Sequence, residues 1–83
     1  MSSTSTTLQE IETTLFDAIA NLGPDRSDVK REATLEELDL DSLDLVEIAQ
    51  LVQESWGVDF DPQDFADVRT VGDALDLVAA RVL

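Results

Sequence analysis

The sequence predicts an all-α fold: a small antiparallel bundle of three main helices plus one short helix, with a long first loop. Three observations carry this. Apolar residues recur at three- and four-residue spacing in three separate stretches. Sustained strand-type alternation is absent, and so are Asn-Gly or Asp-Gly hairpin turns. Finally, 83 residues with 43% hydrophobic content suit one small core and no more.

The elements follow in order. Residues 1–7 read as a flexible polar start, and 8–83 as a single domain. Leu8, Ile11, Leu15, Ile19 and Leu22 mark the first amphipathic helix, which Gly23-Pro24 should end. Asp25 to Ala33 is a polar connection, and Thr34-Leu35-Glu36-Glu37 has the Thr-x-x-Glu form of a capping box around a single turn. Leu35, Leu38 and Leu40 should pin this long connection to the core. A second helix starts at Asp41-Ser42 and runs to about Trp56, where Gly57 stops it. Pro62, preceded by Asp61, suits the first turn of a short helix through Phe65 to about Val68. Thr70-Val71-Gly72-Asp73 opens the last helix, with Val71, Ala74, Leu75, Val78 and Val82 as its buried stripe.

Composition excludes whole classes of function. With no Cys and no His, the chain has no disulfide framework, no thiol nucleophile and no imidazole base for a serine nucleophile. No metal site is expected: Asp39-x-Asp41 and Asp59-x-Asp61 fail the EF-hand template, because Asp44 and Asp64 fall at its glycine position. A formal charge of −14 would repel phosphate backbones, which argues against nucleic acid. No apolar run reaches the length of a membrane span, and the start is not a signal sequence, so a cytoplasmic monomer is expected.

The charge is concentrated. Residues 32–68 hold twelve acids, from Glu32 to Asp67, and not one Lys or Arg. Such a run is ordinarily a solvated face; inside an apolar-periodic segment it also makes a docking surface for basic partners. The second helix sharpens the point. On a helical wheel Leu45, Ile48, Ala49, Val52 and Trp56 form one face, with Glu47, Gln50 and Glu54 opposite. Leu43 and Val46 fall among the acids, as stray exposed residues or as an apolar anchor inside a charged rim. Ser42 heads this helix. It reads either as a cap or as a hydroxyl whose anionic ester the helix dipole would favour.

Asp41-Ser42-Leu43-Asp44-Leu45-Val46-Glu47-Ile48 resembles the Asp-Ser-Leu segment of acyl carrier proteins. The resemblance extends from about Leu8 to Val82, through Trp56-Gly57-Val58, Asp61-Pro62 and Arg69-Thr70-Val71-Gly72-Asp73. It implies that Ser42 bears 4′-phosphopantetheine, taken from coenzyme A by a phosphopantetheinyl transferase, and that the chain is no enzyme itself. It further implies that Asp41, Asp44, Glu47 and Glu54 meet basic patches on acyltransferase, ketosynthase and other acyl-processing enzymes. Leu43 and Val46 would supply the apolar contacts between them. Leu45, Ile48, Leu51, Val52, Phe60, Phe65 and Val68 would line a pocket for the acyl chain, or simply form core. Two positions depart from the family pattern. Gln50 stands where an apolar partner-facing residue is frequent, and Phe65 where a small one is. Fatty-acid and polyketide pathways both fit; the Ser/Thr-rich start, the Lys-poor first helix and Gln50 tilt towards polyketide or other specialised acyl chemistry. A peptidyl or aminoacyl carrier shares the fold and the serine, and an acidic helical interaction domain without cofactor is the remaining alternative.

Overall fold

The computed structural model describes residues 7–83; residues 1–6, most of the expected flexible start, lie outside the described residues. Three α-helices form: α1 (Leu8–Ala20), α2 (Ser42–Trp56) and α3 (Val71–Val82). Two short 3-10 turns, Arg26–Asp28 and Pro62–Phe65, punctuate the connections. Among the described residues there is no strand, only an isolated antiparallel bridge between Thr34 and Thr70. Among the described residues no helix is long and apolar enough to cross a membrane.

α1 packs against both other helices. Ile11, Leu15 and Ile19, at four-residue spacing on one face, are buried to 1% exposure or less. α3 meets them with Val71, Leu75 and Val78, whereas α2 buries only Ile48 and Val52. Each aliphatic side chain buried this fully contributes about 1.5–3 kcal/mol. The second helix is therefore the least embedded of the three, and most of its surface is left for other uses.

Helix starts share one device. Thr7/Glu10, Thr34/Glu37, Asp41/Asp44 and Thr70/Asp73 each form a reciprocal capping box, in which both residues' side chains accept the other's backbone N–H. Thr7, read from sequence as part of the polar start, is thus the cap of α1. Asp64 likewise accepts the Asp61 N–H at 2.8 Å, ahead of the Pro62–Phe65 turn. Four of the twelve acids of residues 32–68 therefore serve the fold: Glu37, Asp41, Asp44 and Asp64 all bond backbone donors.

Some ends differ from expectation. α1 stops at Ala20, before Gly23-Pro24, because Leu22 and Gly23 donate to Ile19 and Ala20 in tighter three-residue loops. The fourth element is a 3-10 turn ending at Phe65, not a helix reaching Val68. Gly57 ends α2 as expected, at φ 73°, a conformation costly for other residues.

The long connection is built, not slack. Its single turn begins at the Thr34/Glu37 box and ends as a Schellman motif: Leu40 N–H donates to Leu35 O and Asp39 N–H to Glu36 O. Leu35 is buried, and Leu38 and Leu40 pack on the core, as the sequence implied. Backbone bonds from Leu35, Val71 and Gly72 to Arg69 O, Ala33 O and Arg31 O staple the connection to the start of α3. Gly72 fits closely there: a Cβ would sit 3.1 Å from the Arg31 carbonyl oxygen, and the staple would have to give by a few tenths of an ångström.

Two expected outcomes arise from this scaffold. Asp39 occupies the left-handed position of the Schellman motif at φ 58°, where glycine is preferred. Asp39→Gly should stabilise the chain by about 0.5–1 kcal/mol, lost strain outweighing the added freedom of the unfolded chain. Thermal melting checks this, and a lower melting temperature would contradict it. The second concerns Asp73, whose carboxylate accepts the Arg69 and Thr70 N–H groups at 3.1 and 3.2 Å. The Arg69 bond first, then the Thr70 bond, holds its pKa below the ordinary value of 3.8. A depressed carboxylate stabilises the fold above its unfolded pKa and loses that contribution as pH falls through the folded one. Asp73→Asn should therefore flatten the acid limb of the melting curve below about pH 4. An unchanged limb would show that Asp73 adds nothing to it.

Candidate functional site

Ser42 is the first residue of α2, and it is exposed. It is not the cap. Asp41 takes that role, its carboxylate accepting the Leu43 and Asp44 N–H groups at 3.0 and 3.2 Å. Asp44 Oδ2 accepts the Asp41 N–H at 3.0 Å, and Leu45 N–H bonds Asp41 O. This accounts for every donor of the first turn except the Ser42 N–H. The Ser42 hydroxyl likewise makes no hydrogen bond among the described residues.

The chemistry of the position suits an esterified anion. Backbone donors and the positive end of the α2 dipole lie beside the hydroxyl, worth about 0.3–1 kcal/mol to a negative group. Asp41 and Asp44 oppose this by a similar amount, about 1 kcal/mol or less per charge in water. The balance leaves a phosphodiester accommodated without being gripped. Ser27 and Ser55 are also exposed, yet neither has this setting: one lies in a three-residue 3-10 turn, the other beside Glu54 in the last turn of α2.

Around Ser42 the acidic helix keeps an apolar centre. Leu43 is 71% exposed and Val46 42%, while Asp41, Glu47 and Glu54 are exposed and Asp44 is half-buried. None of these four acids is in an ion pair among the described residues; the ion pairs there use Asp17, Glu12, Asp76 and Asp64.

From Ser42 a cavity of about 330 Å³ runs along the flank of α2, bounded on its other side by the segment before α3. Leu45, Val46, Ala49, Gln50 and Gln53 form the helical wall; Phe60, Phe65 and Ala66 form the opposite one. Of the seven pocket residues expected from sequence, Leu45, Phe60 and Phe65 line it. Ile48 and Val52 are instead buried in the core, and the half-buried Leu51 and Val68 are not in its lining. Ala49, Gln50, Gln53 and Ala66 were missed. The signal for the helical ones is the three- and four-residue spacing 42, 46, 49/50, 53, a stripe running from the serine itself.

These features belong together in a known family. The phosphopantetheine attachment site family matches residues 13–78. Acyl carrier protein 2 of Ralstonia nicotianae is 48% identical over 59 residues, 70% of this chain and 73% of that one. The acyl carrier protein of Acidothermus cellulolyticus is 37% identical over 73 residues, 86% and 87% of the two chains. In fold, the chain is similar to the actinorhodin holo acyl carrier protein from S. coelicolor, with TM-score 0.68 and 24% identity over 98% of this chain and 95% of that one. The chain belongs to the acyl carrier protein family of phosphopantetheine-bearing, non-catalytic carriers. Such carriers interact with a phosphopantetheinyl transferase and with acyl-processing enzymes.

Proposed function

We propose that Ser42 carries the 4′-phosphopantetheine arm, and that the chain presents acyl thioesters on it to separate enzymes of polyketide or fatty-acid biosynthesis. The single observation that supports this best is the hydroxyl itself: exposed, without a hydrogen-bond partner among the described residues, and at the head of a helix whose cap is another residue. When attached, the arm supplies the thiol that this cysteine-free chain lacks. Tethering raises the effective concentration of cargo at whichever enzyme the carrier meets.

The outer face of α2 is the docking surface in this reading. Asp41, Asp44, Glu47 and Glu54 attract basic patches, and Leu43 and Val46 enter the apolar centre of the contact. Exposed charges give fast, salt-sensitive encounter and easy release, which a shuttling carrier requires. The cavity beside Ser42 shelters the cargo. Gln50 and Gln53 place amide groups along it, which suits a chain bearing carbonyl oxygens and supports the tilt towards polyketide chemistry.

Incubation with coenzyme A, Mg²⁺ and a competent phosphopantetheinyl transferase should add the mass of one arm per chain. An unchanged intact mass would end the proposal.

A further inference from the structure

The cavity wall facing α2 is held unlike the rest of the molecule. Among the described residues, the backbone–backbone hydrogen bonds of 58–68 are local, including Asp64 N–H to Asp61 O, Ala66 N–H to Gln63 O and Val68 N–H to Phe65 O. The staples between the first connection and α3 begin only at Arg69. Phe60 and Val68 pack against the core, and among the described residues one side chain from another element makes polar contacts with the wall. Arg81, in the last turn of α3, donates through Nη1 to Asp59 O at 2.9 Å. Its Nη2 pairs with Asp64 Oδ1 at 3.1 Å, and its guanidinium lies 5.1 Å from the centre of the Phe60 ring. Phe60 in turn packs against Phe65, with centroids 5.7 Å apart. Asp64 uses its other oxygen on the Asp61 N–H, so one carboxylate joins the turn to the cation.

We propose that Arg81 is a positioning residue that latches this wall, and that it thereby sets how firmly the cavity retains an acyl chain borne on Ser42. The retention half rests on the function proposed above; the latch itself does not. Arginine suits the task because its planar fork serves a carbonyl and a carboxylate at once while its face covers an aromatic ring. The pair is partly exposed, with side chains 43% and 24% accessible, so it can open on a partner's surface or in salt.

The chain provides its own control. Arg26 has matching contacts at the end of α1, with Asp17 at 3.0 Å, Val29 O at 3.4 Å and the Phe16 ring at 5.3 Å, but none of these residues lines the cavity that starts at Ser42. Hydrogen–deuterium exchange on the unmodified chain should show R81Q raising exchange of the amides in 63–68 about tenfold. R81K should fall between, since a lysine restores the charge without the fork. R26Q should leave 63–68 as in wild type. The chain is then given a hexanoyl-loaded arm. Against R26Q matched for melting temperature, R81Q should show smaller cargo-induced NMR shifts at the Phe60 and Phe65 rings and faster hydroxylamine cleavage of the thioester.

Unchanged exchange of 63–68 in R81Q would overturn the latch. Faster exchange with wild-type ring shifts and cleavage would overturn its control of cargo. A chain that accepts no arm would overturn the carrier reading and the retention half with it, while the exchange data would still decide the latch.

Discussion

Ser42→Ala is expected to abolish attachment of the phosphopantetheine arm completely while leaving the fold intact. The two effects separate because the hydroxyl has no structural partner among the described residues, so its removal orphans no donor or acceptor. Alanine is well tolerated at the first helical position, and the Asp41/Asp44 box keeps the helix start closed. The stability change should stay within about 0.5 kcal/mol, as for other exposed substitutions. Circular dichroism melting and intact mass on the same sample read both quantities. Loss of attachment together with an unfolded variant would contradict the geometry described for Ser42. Full attachment in a folded Ser42→Ala chain would remove Ser42 from the chemistry.

The second large effect concerns docking. Glu47→Lys should lower kcat/KM for acyl transfer to a partner enzyme about tenfold at low salt and flatten its dependence on ionic strength. Glu47 is a cleaner choice than Asp44, because Asp44 also closes the cap of α2 through the Asp41 N–H. Reversal at Asp44 would mix a loss of helix stability with a loss of attraction. Glu47 is exposed and makes no hydrogen bond or ion pair among the described residues. Steering acts on the encounter, so the defect should shrink as salt screens the partner's field in wild type too. Equal kinetics for Glu47→Lys and wild type at low salt would take Glu47 out of the interface.

Both effects concern α2, the element most legible in the sequence. Its limits, its buried Ile48 and Val52 and its exposed Leu43 and Val46 all follow from periodicity and from Gly57. The start of α3 at Thr70-Val71 was equally clear. Legibility failed where side chains bond backbone locally. Only the Thr34 box is read as one from the sequence, although Thr7-x-x-Glu10 has the same form, Thr70-x-x-Asp73 follows it with aspartate last and Asp41-x-x-Asp44 with aspartate at both ends. The acids therefore looked more available for partners than they are. α1 ends earlier than the sequence implies, because Gly23-Pro24 marks where the chain must have left the helix, not where the last turn tightens.

The site shows a similar division. Periodicity identifies which residues of α2 point inward, but the cavity runs along the flank between the inward face and the solvent. That is why Ile48 and Val52 went to the core while Ala49, Gln50 and Gln53 border the cavity. The opposite wall depends on contacts distant in sequence. Arg81 and Asp59 are 22 residues apart, and no local pattern announces their bond.

The central claim is that one hydroxyl, Ser42, bears the arm. Tandem mass spectrometry of the transferase-treated chain, read from backbone fragments that retain the arm, tests it most directly. The account predicts the added mass on Ser42 alone, with Ser27 and Ser55 unmodified. An arm found on either of those serines, with Ser42 untouched, would contradict it.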